Sequence, residues 1–142
     1  MANPKQFCTF FLDGLYFGVE VTNVQEVLRY QPMTRVPLAP AIVEGLINMR
    51  GQIVTAIDLR RRLELPARTG EKLPMNIVIR ADDGAVSLLV DEIGDVVEIQ
   101  DDIFERPPET LRGTARELVR GVYKMKERLL LVLDTQKATH CN

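Results

Sequence analysis

Two aspartates stand at matching places in the two halves of this chain, Asp58 in the string IDLR and Asp134 in LDTQ. Paired carboxylates that share a proton are the machinery of an acid protease. Such a pair needs a small residue behind each Asp so that the two backbones can approach, and neither string contains glycine. A strand-ending aspartate that accepts the amide hydrogens of a following helical turn explains both positions more simply. Other reactive side chains are few. The single histidine is His140, two residues from the last, and the single serine is Ser87, inside a β-rich run. A Ser-His-Asp relay would have to join those two, and a zinc site would have to collect Cys8, His140 and Cys141 without metal-site spacing. No base stands near either cysteine in sequence to activate a thiol. Neither GxxxxGK[ST] nor GxGxxG occurs, so no phosphate cradle is expected. The residues predict no catalytic centre, no metal and no cofactor.

The elements that would have to position these groups read mostly as strands. Gln6 to Val21 is rich in β-formers and broken by Asp13-Gly14, a strong hairpin signal. In TNVQEVLRY, Thr22 and Gln25 fit a capping box, and Val24, Val27 and Leu28 share one helical face, which predicts a short helix from Thr22 to Tyr30. Pro32, Pro37 and Pro40 forbid a long element before VEGLINMRGQIVTAIDLRRRL, whose centre reads as two strands turning at Arg50-Gly51-Gln52. A polar connector from Glu64 to Pro74 follows. MNIVIR and AVSLLV then flank Ala81-Asp82-Asp83-Gly84 as a further hairpin, GDVVEIQ adds a strand, and Pro107-Pro108 opens an irregular stretch before VRGVYKMKERLLLVLD.

The halves look duplicated. A shift of 76 places sets Val43, Gly45, Met49, Arg50, Ile53, Val54, Ile57 and Asp58 over Val119, Gly121, Met125, Lys126, Leu129, Leu130, Leu133 and Asp134. A shift of 69 sets Val21, Val24, Glu26 and Val27 over Val90, Ile93, Asp95 and Val96. Such a repeat predicts two copies of one supersecondary unit packed together, here two small β-barrels sharing a core, since closure removes exposed strand edges.

At 142 residues the chain has the size of one domain, able to bury about 70% of its unfolded surface. Net charge is -2, and 46% hydrophobic with 27% charged residues is an ordinary globular balance. The run Arg60-Arg61-Arg62 lies between Leu59 and Leu63 at i, i+4 spacing, which reads as the wet face of a short helix. With five Phe, three Tyr and no Trp there is little to stack on bases, so a small ligand- or nucleic-acid-binding β-barrel is the weaker alternative. Two cysteines outside any pairing motif fit a reduced, cytoplasmic chain. The first residues carry one Lys and no cleavage site, and the longest apolar run, Leu129 to Leu133, is far too short for a span, so neither export nor membrane insertion is expected.

The string VEGLINMRGQIVTAIDLRRRL resembles the signature of the CheW-domain family, a valine-glycine strand leading to an Asn-Leu-Arg-Gly turn and an apolar strand ending Asp-Leu-Arg. VQEVLR, VPLAP and VDEIGDV are similar to family positions in order and spacing, and the likeness runs from about Phe7 to Ala138. Met49 stands where leucine is usual, a volume-conserving change. The resemblance implies a mostly β fold of two five-stranded SH3-like barrels around a shared core, with short helices. Residues 1–142 would form one domain of two intertwined barrels. It implies no enzymatic activity but a scaffold that couples chemotaxis receptors to the histidine kinase CheA, in the cytoplasm at membrane-associated receptor arrays. The partners would be the regulatory domain of CheA and the cytoplasmic tip of the receptors. On the same resemblance Arg50 and Glu26 would serve receptor contact, Val24, Ser87, Ile93 and Val96 would line a groove between the barrels, and Gly45 and Gly51 would fall in the kinase-contact region.

Overall fold

The computed structural model describes residues 4–81, 84–100 and 104–139. His140, Cys141 and the expected hairpin tip at Asp82-Asp83 lie outside the described residues. In chain order the elements are β1 (Lys5–Leu12), β2 (Leu15–Glu20), β3 (Val24–Leu28), β4 (Val43–Met49), β5 (Gln52–Asp58), α1 (Leu59–Arg62), β6 (Met75–Ala81), β7 (Gly84–Val90), β8 (Glu92–Ile99), β9 (Phe104–Glu105), α2 (Gly113–Leu118), β10 (Val119–Lys124), β11 (Leu129–Leu133) and α3 (Thr135–Ala138). Asp13 and Gly14 join β1 to β2 with positive φ angles of 51° and 77°, the turn whose twist suits adjoining strands.

The helix expected from Thr22 to Tyr30 is a strand. A 3-10 turn, Val21–Asn23, with no side-chain cap leads straight into β3. The spacing of Val24, Val27 and Leu28 is compatible with a helix, but β-branched valines fit a pleated surface better. Pairing decides the matter: Val24 lies opposite Ile79 and Val27 opposite Ile77, so β6 supplies the backbone partners. The two aspartates behave as expected of caps. Asp58 accepts the Arg60 amide at 3.0 Å and Asp134 accepts the Lys137 amide at 3.1 Å, opening α1 and α3.

The strands form a six-stranded sheet, β8-β1-β2-β11-β10-β9, and a five-stranded sheet, β3-β6-β7-β5-β4. The six-stranded sheet exceeds the expected five through β9, two residues that pair with β10. Each half lends its hairpin to the other. β1 and β2 belong to the first half yet sit in the sheet completed by β8 to β11, while β6 and β7 sit among β3, β4 and β5. The registers repeat with the sequence: Leu131 pairs Phe17 and Val132 pairs Gly18, just as Thr55 pairs Val86 and Ala56 pairs Ser87. Val24 opposite Ile79 likewise matches Ile93 opposite Phe10.

A large shared core lies between the sheets, holding Phe10, Phe17, Ile57, Ile77, Leu88 and Leu131. The Phe10 and Phe17 rings stack at 5.4 Å. Two smaller clusters lie on the sheets' other faces, one of Ile47, Met49, Val54, Val78 and Leu89 with Leu28 and Met33, the other of Phe7, Tyr123, Leu130 and Val132. Strand alternation sends one set of side chains to the shared core and the next to the private one.

Candidate functional site

Arg50 and Gly51 form the two-residue turn between β4 and β5, with φ angles of 50° and 87°. The Asn48 carboxamide oxygen accepts the Gly51 amide at 3.0 Å and fixes the turn. From this tip the Arg50 guanidinium reaches the Glu26 carboxylate on β3. β3 and β4 are opposite edges of the five-stranded sheet. Flat, such a sheet would hold its edges about 19 Å apart at the usual strand spacing, so the ion pair reports strong curling around the Ile47–Leu89 cluster. Arg50 is 77% exposed and Glu26 27%. A pair so placed contributes about 0–1 kcal/mol to stability, which leaves its charges available to a partner.

The three apolar residues implied by the resemblance, taken with Val27, the repeat equivalent of Val96, divide in the same way in each half. Val24 on β3 and Ile93 on β8 are half-buried against the shared core. Val27 and Val96, at equivalent positions further along, are 39% and 59% exposed. A second equivalent pair went unnoticed as surface: Ile53, second in β5, and Leu129, first in β11, are also exposed. Their match across the repeat was legible, but their direction depends on strand phase.

Ser87 and Gly45 take other parts. Ser87 is fully buried, donating to the Asn76 side-chain oxygen at 2.8 Å, while Asn76 donates to the Arg29 carbonyl at 3.1 Å. The expectation that Ser87 lines a groove is corrected: its side chain satisfies a closed polar network inside the five-stranded sheet. Gly45 is buried where Thr34 crosses β4. A Cβ there would stand 2.7 Å from the Thr34 carbonyl oxygen, and at the equivalent Gly121 it would stand 2.6 Å from that of Glu105. Both glycines clear a crossing backbone. Gly51 is open, with nothing within 4 Å of an added Cβ.

The arginine run forms the expected short helix with Leu59 and Leu63 buried and Arg61 exposed, but its arginines are engaged rather than merely solvated. Arg60 grips Asp91 through two bonds of 2.9 and 2.6 Å, Arg61 meets Glu44 at 3.0 Å, and Arg62 donates to the Lys137 carbonyl at the end of α3 at 2.8 Å. Burial tends to raise the Asp91 carboxyl, but the bonds from Arg60 and the Asp13 amide and the nearby Arg68 charge hold it below the ordinary carboxylate range. Arg60 is correspondingly raised by its bond to Asp91. Burial pushes the Cys8 thiol up, away from a reactive thiolate. Among the described residues no cluster of His, Cys, Asp or Glu could hold a metal ion, and no helix is long and apolar enough to cross a membrane.

With this geometry in place, the comparison with known families is decisive: the family model for the CheW-like domain matches residues 6–140. The chain belongs to the CheW-like domain family. It is 30% identical over 141 residues to the chemotaxis protein CheW of Treponema pallidum, covering 95% of this chain and 83% of that one. It is 31% identical over 130 residues to CheW of Bacillus subtilis, covering 92% and 83%. The crystal structure of the scaffolding protein TtCheW from Thermoanaerobacter tengcongensis superposes with a TM-score of 0.88 at 26% identity, covering 99% of this chain and 95% of that one. The relatives are chemotaxis proteins and the solved one a scaffolding protein, whose fold this chain shares.

Proposed function

We propose that this CheW-like chain couples the cytoplasmic tip of chemoreceptors to the histidine kinase CheA, working in the cytoplasm at receptor arrays and without chemistry of its own. The observation that carries the reading is the repeated exposure of valine on two edge strands, Val27 on β3 and Val96 on β8. Outward apolar residues flanked by charge are what a partner-binding surface uses. Only the first of these strands has the charged pair Arg50–Glu26 beside it. Two related but unequal surfaces suit a bridge between two different partners. Arg50, Glu26, Val24, Ile93 and Val96 are assigned to receptor contact, and Gly51, at an open turn, to the kinase side. Gly45 acts there only by holding the backbone of β4 in place.

Reconstitution tests this directly. Kinase autophosphorylation should rise when the protein is added to CheA together with a receptor cytoplasmic fragment, and should not rise when either is omitted. Stimulation of CheA without receptor, or no stimulation in the full mixture, refutes the coupling role.

A further inference from the structure

β8 is bonded along only one side, by β1, and its ladder is broken by a register shift between Cys8 and Phe10. β3 is held in the same way, by β6 alone with a register shift between Val24 and Glu26, but β8 has an anchor besides its ladder. The anchor is Asp91, the single residue between β7 and β8. Its amide donates to the Phe11 carbonyl at 3.1 Å. One carboxylate oxygen accepts from the Arg60 Nε at 2.9 Å and the Arg68 Nη2 at 3.2 Å, and the other accepts from the Asp13 amide at 2.9 Å and the Arg60 Nη2 at 2.6 Å. The carboxylate therefore ties together α1, the connector after it, and the β1–β2 turn. Arg60 is fixed in turn by the Pro66 carbonyl at 2.8 Å and lies 3.6 Å from Asp13. Asp91 and Arg68 side chains are each 19% exposed and Arg60 12%, so solvent screens the cluster weakly.

The duplicated position in the first half is Thr22, which is exposed and whose carbonyl accepts one bond, from Arg80 at 3.2 Å. The fold thus repeats, but the staple does not. We infer that Asp91 is a positioning residue for the second partner-facing strand, orienting Ile93 and Val96 of β8; among the described residues no carboxylate plays this part at the entry to β3, whose charged pair with Arg50 is made by Glu26 within the strand instead. This rests on the adaptor reading for its functional consequence, though not for the staple itself.

The test is Asp91→Asn in the full chain, with Arg68→Ala as the milder variant should the first not fold. Amide exchange over residues 92–97 should accelerate about tenfold while β4 and β5 keep their protection, since local opening follows the loss of local contacts. Unchanged exchange over 92–97 in the folded variant overturns the inference whatever the partner. Titration with a receptor cytoplasmic fragment should show roughly tenfold weaker binding, with little further loss when Asp91→Asn is added to Val96→Ala, because residues acting through one another are non-additive. Equal losses in both backgrounds mark a general structural effect and overturn the positioning role. If Val96→Ala alone binds receptor normally, the contact assigned to β8 is wrong, and the exchange measurement alone decides the staple.

Discussion

Replacing Gly45 by alanine should destabilise the protein, although alanine is the better residue inside a strand. The intrinsic gain is about 0.5–1 kcal/mol, from the smaller backbone entropy lost on folding. Against it stands the new methyl, 2.7 Å from the Thr34 carbonyl oxygen and 3.0 Å from the Met33 Cβ. That oxygen belongs to backbone and cannot swing aside. Thr34 and Leu46 exchange two hydrogen bonds, at 2.9 and 2.8 Å. Backing Thr34 away by several tenths of an ångström stretches both, and each is worth about 0.5–1.5 kcal/mol. Met33, part of the cluster inside the five-stranded sheet, must move as well, and forcing an extra methyl into a packed site costs about 1–3 kcal/mol. The net expectation is a loss of about 2 kcal/mol, read as a lower urea midpoint at unchanged slope and a melting temperature reduced by roughly 5–8 °C. Binding of the CheA regulatory domain, measured well below the melt, should stay within about twofold on this reasoning, since a buried glycine offers the partner no surface. An unchanged or raised midpoint refutes the clearance argument. Unchanged stability with lost kinase binding would restore Gly45 as a direct contact.

Arg50→Ala should alter stability by no more than about 0.5 kcal/mol, as surface substitutions do, yet weaken receptor binding by about 1.5–3 kcal/mol, the scale of one charge-assisted hydrogen bond. Lys126→Ala, at the equivalent exposed tip, should change binding far less, and receptor titrations beside thermal melts decide between the two. The Asp91 carboxyl is depressed in the folded state, so its stabilisation is complete above the unfolded value of about 3.9. It is lost as pH falls through the lower folded value. Wild type should therefore lose, as pH falls below about 5, an increment of stability that Asp91→Asn never had, and parallel acid-melting curves would refute this.

Much of the fold was legible because neighbouring residues determine it. The Asp13-Gly14 hairpin, the turn at Arg50-Gly51 and the caps at Asp58 and Asp134 each depend on one or two side chains acting over a few positions. The repeat was legible too, since apolar, glycine and acidic positions recur together. What was misread depends on distant partners. β3 is a strand only because β6, some fifty residues on, lies beside it. Arg60 looked solvated because its partner Asp91 is thirty-one residues away. Ser87 looked accessible for the same reason. Nothing local tells a strand's buried face from its groove-lining one, and the Asn76 side chain that closes its network belongs to the neighbouring strand. Helix α2 and the short β9 gave no signal at all, lying around a proline-rich stretch where composition suggested only irregular chain.

The exchange of hairpins has a consequence for how such a molecule arises. Half of this chain, taken alone, has strands enough for a sheet but in the wrong connection, because β2 finds its parallel neighbour in β11 and β7 finds its own in β5. A half-length chain with this pattern would expose the side of its hairpin that the partner half now covers. Two identical copies could cure that fault together, each lending a hairpin to the other about a twofold axis. Joining them through a connector such as Glu64–Pro74 converts a two-body encounter into an intramolecular one. It also releases the copies from identity: once fused, one crossover could acquire Asp91 while the other kept Thr22. A symmetric pair of surfaces could thereby become two that tell their partners apart.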